Sequence, residues 1–294
     1  MKKPLIARVF GGLGNQMFIY ANARAITLKN DSPLFLDNIT GFKGDPYKRS
    51  WELDHFGIEY KTANKVDSLN FICGRLIRKV LREFNQRILT FNYITEKNYE
   101  RFDPAIKDFN IQHKTWIEGY WQSPKYFEEF RNTLCMEFAT VKSPISDNGR
   151  ILAKQMKDTC SVCLHARRLR NELVGEENAK IKTLSLSYYK ASIEKMVHHY
   201  PDAHFFCFSD APEWLKDNLK IDYPVTFVSQ KNTHAYEDIW LMQQCKHFII
   251  SNSTFSWWPA WLGEASDKLV LSPGLAYWDC KDILPQDWHI IHFE

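Results

Sequence analysis

From about residue 160 onward, short apolar runs alternate with amphipathic stretches, and this alternation restricts the fold more than any other feature. The runs 161–165, 204–209, 225–228, 248–251 and 268–271 have strand length, and 187–200, 212–219, 236–244 and 255–262 between them read as helices. Strands separated by helices predict a parallel sheet with helices on its faces. The chain opens with the same rhythm: a strand over 5–10, a turn at 11–14, a helix over 15–28 and a strand over 33–36. At 294 residues there is room for about two such domains of roughly 150 residues each. The polar stretch 142–150 predicts the linker, so the expected domains are 1–145 and 146–294, both α/β. Residues 40–110 are less regular.

The composition, 45% hydrophobic and 25% charged, supplies a core and excludes a disordered chain. Lys plus Arg (38) against Asp plus Glu (35) gives a net charge of +3, too small an excess for a dedicated nucleic-acid binder. No run approaches the ~20 apolar residues of a membrane span. Arg8 breaks the N-terminal apolar run and no small-residue cleavage site follows, so no signal peptide is expected. The 7 cysteines, set mostly in apolar runs, suit reduced thiols in a cytosol. Cys160 and Cys163 form a CxxC without a second pair or a histidine at ligand spacing, so a structural role is expected and no metal. Residues 71–89 place apolar side chains at helical spacing opposite Arg75, Arg78, Lys79, Arg82 and Arg87, with one carboxylate, Glu83, among them. One reading is a helix lying on an anionic membrane surface. The width of the apolar stripe favours a core helix with a solvated basic face.

Ligands of parallel sheets bind beyond the carboxyl ends of the strands, so those ends are where chemistry is expected. Gly11, Gly12 and Gly14 crowd the turn between the first strand and its helix, with Asn15 and Gln16 behind them. The turn reads equally as a phosphate cradle of close-approaching backbone and helix amides, or as a tight turn with Asn15 as helix cap. Met17 stands where a dinucleotide fingerprint needs its third glycine, and no Gly-Lys-Ser/Thr follows. His165-Ala166-Arg167-Arg168-Leu169-Arg170 puts three arginines at a strand end, where guanidinium forks grip phosphate oxygens. Ser209-Asp210 ends the next strand, and Asp210 either accepts from a base or ribose or caps a helix. Ser251-Asn252-Ser253-Thr254, followed by Phe255, offers hydroxyls and helix amides to a second phosphate, or simply caps its helix. Three such ends in one sheet predict a nucleotide pocket. The sequence has no Asp-x-Asp and no HExxH, so arginines and helix dipoles are expected to meet the phosphate charge.

These residues resemble the bacterial α-1,2-fucosyltransferases, glycosyltransferase family 11. The block Gly11-Gly12-Leu13-Gly14-Asn15-Gln16-Met17-Phe18-Ile19-Tyr20-Ala21 is similar to that family's N-terminal signature. Gly119-Tyr120-Trp121-Gln122-Ser123 with Lys125-Tyr126-Phe127, and Phe208-Ser209-Asp210 with Glu213-Trp214, resemble two further blocks. Glu237-Asp238 with Leu241-Met242, Cys245-Lys246-His247 and Ser251-Asn252-Ser253-Thr254-Phe255-Ser256-Trp257-Trp258 resemble the last. One block departs: where the family reads His-x-Arg-Arg-Gly-Asp, this chain has Leu169-Arg170 in place of Gly-Asp.

The resemblance implies an α/β, GT-B-like fold, two Rossmann-like domains facing a cleft, the first on the acceptor side and the second binding the nucleotide sugar. It implies inverting, metal-independent transfer of L-fucose from GDP-L-fucose to a galactose 2-hydroxyl, in surface polysaccharide synthesis. The donor GDP-L-fucose is a substrate, and no cofactor is expected. The expected partner is a galactose-terminated oligosaccharide, free or lipid-linked, with no nucleic acid. The expected place is the cytoplasm, either in solution or peripheral on the inner membrane surface. Arg167, then Arg168, would meet the departing diphosphate. Of Glu172, Glu176 and Glu177 in the acidic stretch after the motif, Glu176 would be the base, the other reading of each being a solvated loop charge. Gly12, Gly14, Asn15, Gln16, His165, Asp210, Asp238, Ser253, Thr254 and Phe255 would contact the nucleotide, with Asp210 and Asp238 toward guanine or ribose. Two alternatives stand beside this: a non-catalytic nucleotide-sugar or glycan-binding protein, and a transferase of another GDP-sugar.

Overall fold

The structure, a computed structural model, describes residues 2–84, 87–88, 91–168, 183–228 and 234–293. The chain divides into two compact units, Met1–Lys142 with Cys280–Ile283, and Ser143–Asp279 with Leu284–Glu294.

The first unit runs β1 (Leu5–Arg8), α1 (Leu13–Asn30), β2 (Leu34–Asp37), β3 (Lys61–Thr62), α2 (Gly74–Phe84), β4 (Arg87–Ile88), β5 (Phe91–Thr95), α3 (Pro104–Lys107), β6 (Lys114–Glu118) and α4 (Arg131–Ala139). Its 6-stranded sheet has the order β3-β2-β1-β6-β5-β4, parallel except where β4 meets β5. The direction of strand addition reverses between β1 and β6. Leu5, Ile6 and Ala7 of the central β1 are buried. So is α1 on nearly every side, including Met17, Phe18, Ile19 and Tyr20, as expected for a helix enclosed by protein. This helix begins at Leu13 with Gly12 as its N-cap, not at Asn15, because the Asn15 amide already bonds to the Gly12 carbonyl at 2.9 Å.

The α2 helix reverses the orientation that its apolar stripe suggested. Arg78 is buried, donating to the Ser68 carbonyl at 2.6 Å and facing Asp37 at 3.6 Å. Arg82 reaches Glu118 through Nε at 2.9 Å. Leu76, Ile77 and Val80 face solvent instead. Two carboxylates at the ends of β2 and β6 hold Arg78 and Arg82 down, and a buried charge without its partner costs more than an exposed leucine.

The second unit runs α5 (Asp147–Asp158), β7 (Cys160–Ala166), α6 (Leu186–His199), β8 (Ala203–Ser209), α7 (Pro212–Asn218), β9 (Val225–Phe227), α8 (Ala235–Met242), β10 (His247–Ile249), α9 (Thr254–Leu262), β11 (Val270–Pro273) and β12 (His289–Ile291). The stretch expected as linker therefore contains the start of a helix: the Ser146 hydroxyl caps α5, accepting from the Gly149 amide at 2.9 Å. The 6-stranded sheet, order β12-β11-β10-β7-β8-β9, is parallel throughout. Here the reversal falls between β7 and β10. Val162, Leu164, Phe205, Tyr188 and Met196 share the buried core on one side. On α9, Trp257, Trp258 and Trp261 are buried, so these aromatics are core and not a ligand platform. Cys160 and Cys163, three apart on β7, fall on opposite faces of the sheet, and neither is in a disulfide.

Candidate functional site

In the second unit, the three strand ends singled out by sequence lie side by side, because β7 pairs with β10 on one side and β8 on the other. Open α/β sheets bind ligands where the strand order reverses, here at the ends of β7 and β10. A hydrogen bond spans that point: His165 Nδ1 lies 2.8 Å from Ser251 Oγ, and both residues are buried. The Phe255 ring stands 5.8 Å from the His165 ring.

Arg167 and Arg168 part company. Arg167 is partly exposed, its side chain 40% accessible, and pairs with Asp210 through Nε at 3.1 Å, so that contact does not engage the terminal nitrogens of the fork. Arg168 turns inward, its guanidinium 3.7 Å from the centre of the Trp214 ring and bonded to the Leu184 carbonyl at 3.0 Å. Asp210 takes the Arg168 amide on its other oxygen at 2.7 Å, so its carboxylate braces the arginine loop from the end of β8. Ser253 is the N-cap of α9, its hydroxyl accepting from the Phe255 amide at 3.3 Å. Thr254 opens α9, and Asp238 lies half-buried in the first turn of α8. Glu176, together with Leu169 and Arg170, lies outside the described residues.

In the first unit the glycine turn closes the end of β1. Gly11 has φ +81°, which L side chains rarely adopt. Gly12 faces open space, where a Cβ would find nothing nearer than Arg49 Nε at 3.9 Å. Gly14 is buried in the first turn of α1, which carries no acidic residue and presents the positive end of the helix dipole. Asn15 Oδ1 accepts from Gln122 Nε2 at 2.9 Å, spanning the β1–β6 reversal. Gln16 is buried and holds the loop: its amide donates to the Gly11 and Ser50 carbonyls at 3.0 and 2.8 Å and accepts from the Glu52 amide at 3.0 Å.

Sequence reasoning missed two groups here. Arg49 comes from the irregular stretch after β2, and nothing in its spacing marks it. Glu96, just past β5, accepts from the Tyr120 and Trp121 amides at 2.6 and 3.0 Å. Gly119 is what lets it approach, since a Cβ there would fall 2.4 Å from Glu96 Cβ. The one available signal was a glycine immediately after a strand. Burial pushes the Glu96 carboxyl up to about 7, against the two amides, which pull it down. A carboxyl raised above its unfolded value favours the fold while protonated and costs stability once ionised. The cost appears as pH rises above the ordinary carboxylate range and is complete above about 7. Relative to Glu96→Gln, which does not titrate, the native protein should lose on the order of 3 kcal/mol between about pH 5 and pH 8. Urea unfolding of both proteins across that range measures this; a difference that stays flat with pH removes Glu96 as the titrating group.

Among the described residues no group of three or more His, Cys, Asp or Glu side chains is placed to hold a metal ion, and no helix is long and apolar enough to cross a membrane.

The sequence model of glycosyl transferase family 11 matches residues 70–274. An α-1,2-colitosyltransferase of Escherichia coli is 30% identical over 276 residues, covering 92% of this chain and 91% of the relative. The O-antigen biosynthesis glycosyltransferase WbnK of Escherichia coli is 28% identical over 293 residues, covering 90% and 91%. Among solved structures, NodZ α-1,6-fucosyltransferase soaked with GDP-fucose aligns over 94% of this chain and 97% of its own, with TM-score 0.51 at 12% identity. A mutant of Arabidopsis thaliana FUT1 in complex with GDP aligns over 92% and 70%, with TM-score 0.50 at 13% identity. At those identities the likeness is one of fold.

Proposed function

Because the chain belongs to glycosyl transferase family 11, we propose that it transfers L-fucose from GDP-L-fucose to the 2-hydroxyl of a galactose-terminated glycan, with inversion and without a metal ion. Membership makes the chain a fucosyltransferase-like glycosyltransferase and retires the non-catalytic alternative. The observation that carries a nucleoside-diphosphate donor is Arg167, a partly exposed guanidinium held by Asp210 at the end of β7, next to the reversal point and the capped N-terminus of α9; the choice of guanosine and fucose rests on the family.

In this reading the acceptor oxygen bonds the anomeric carbon as the bond to the diphosphate breaks, and the electron pair leaves with GDP. Arg167 meets the growing negative charge, which is electrostatic stabilisation by a positioned donor. Arg168 and Asp210 set the loop, and the α9 amides beyond Ser253, with Thr254 and Phe255, add the second anion-binding group. His165 and Asp238 face the nucleoside. Gly12, Gly14 and Asn15 form an anion-binding strand end of the first unit, with Gln16 holding its loop; that unit receives the acceptor. Glu176 takes the acceptor proton. The acceptor is a surface-polysaccharide precursor carried on a lipid at the cytoplasmic face of a membrane. The family's α-1,2-colitosyltransferase favours a second reading in which the donor sugar is colitose.

Incubation with a panel of GDP- and UDP-sugars, GDP-colitose among them, and galactose-terminated acceptors, with products identified by mass and linkage, decides between these. Products only from UDP-sugars, or none at all, would overturn the proposal. Transfer should also survive chelator, because arginine and helix amides take the part of a divalent ion. Complete loss with EDTA, restored by manganese, is the contrary result.

A further inference from the structure

Five of the fourteen exposed large apolar side chains among the described residues fall between positions 71 and 80: Phe71 (45% exposed), Ile72 (100%), Leu76 (68%), Ile77 (40%) and Val80 (53%). Scattered exposed leucines need no explanation, but a contiguous group on one helix does. On α2, Leu76, Ile77 and Val80 form a stripe at helical spacing, and the opposite side is fastened by Arg78 to Ser68 and Asp37 and by Arg82 to Glu118. Turning the stripe inward would pull both arginines off those carboxylates, so the apolar side is held outward. Arg75 and Lys79 are exposed and border the stripe on one edge, and one exposed carboxylate, Glu83, follows Lys79 by a turn on that edge, leaving the cations in excess. Lys43 Nζ, bonded to Asn70 Oδ1 at 2.6 Å, adds a third cation near the start of the helix.

We propose that α2 docks this protein on an anionic phospholipid bilayer, laying Leu76, Ile77 and Val80 among the acyl-chain ends of the headgroup layer while Arg75 and Lys79 meet lipid phosphates. An apolar stripe edged by cations is the pattern of helices that lie in the membrane interface. A second copy of the chain fits less well, since a two-fold contact through this face would oppose Arg75 and Lys79 to the same charges. The proposal stands apart from the identity of the sugar donor.

Flotation with vesicles of phosphatidylcholine, and of phosphatidylcholine mixed with phosphatidylglycerol, tests it. The native protein should float with the mixed vesicles and hardly at all with neutral ones. Arg75→Gln with Lys79→Gln should weaken binding about 25-fold, two cations each contributing roughly fivefold. Leu76→Asp with Val80→Asp should abolish it and leave transfer to a soluble acceptor unchanged, which separates failed docking from failed catalysis. Both pairs lie on the solvent face, and circular dichroism confirms their folding. Native protein that ignores anionic vesicles, an aspartate variant that binds as the native does, or a dimer that the aspartates dissolve would each overturn the proposal.

Discussion

Replacing Arg167 with alanine should lower sugar transfer by about 10²–10³-fold, on the order of 3–4 kcal/mol of transition-state stabilisation, and leave the protein folded. The contact with Asp210 is partly exposed, so its own contribution to stability is small, and Asp210 keeps the Arg168 amide when the guanidinium goes. What is lost is a charge aimed at a diphosphate whose negative charge grows as the sugar departs. Arg167→Lys should recover little. A single ammonium cannot hold Asp210 with one nitrogen and present a fork with two others. Steady-state kinetics with GDP titration read the outcome. Near-normal turnover of the alanine variant places the phosphate site elsewhere.

Glu118→Ala should destabilise the protein by about 3–5 kcal/mol, the range for breaking a buried charged network by removing one partner. The Glu118 carboxylate is buried at the end of β6 and accepts from Arg8 at 2.5 Å, Arg82 at 2.9 Å and the Tyr93 hydroxyl at 2.6 Å. Arg8 has further bonds only to Thr40 among the described residues, through the hydroxyl at 3.1 Å and the carbonyl at 3.0 Å, and neither neutralises it. Burial alone would raise the Glu118 carboxyl; the Arg82 hydrogen bond, the Arg8 charge and the Tyr93 hydroxyl outweigh burial and hold it below the ordinary range. A lowered carboxyl contributes stability above its unfolded value and loses it as pH falls, so the variant and the native protein should converge in acid. Chemical denaturation at neutral pH measures the gap; one under about 1 kcal/mol contradicts the network account.

The second unit was largely legible because its strands are short apolar runs and its ligand end is marked by residue type: arginines after β7, an aspartate after β8, hydroxyls after β10. Residue type did not reveal how those groups divide the work. Arg167 and Arg168 look equivalent in sequence, yet one stays partly exposed beside Asp210 and the other stacks on Trp214. Gln16 and Ser253 belong to family blocks, and in the structure their side chains hold backbone amides and carbonyls. The first unit was harder. Periodicity tells which residues of α2 share a side but not which side faces in, and the answer lies in Glu118 and Asp37, remote in sequence from the arginines they hold. Glu96 was invisible because its burial depends on the approach allowed by Gly119. The last strand, β12, is three residues long, and His289 and His292 flank its two isoleucines, so the apolar run is too short to read.

The two sheets reverse their strand order differently, and this bears on how they can form. In the second unit β7 finds β8 next in the chain, pairing from Cys160 with Ala203 to Ala166 with Ser209, and each later strand is laid outward from the centre. In the first unit the chain goes to the far edge and returns inward, so β1 receives its second neighbour only with β6. Arg8 and Glu118, which join across that seam, are 110 residues apart. Emerging from a ribosome, β1 and β2 can pair early, but the inner edge of β1 stays open until β6 has been synthesised. Loop closure over such a distance makes the pairing slow, and an unpaired edge meanwhile invites contact with other chains. The second unit can add its strands nearly in the order they are made. The first must wait, so its central seam is among the last contacts of that sheet to close.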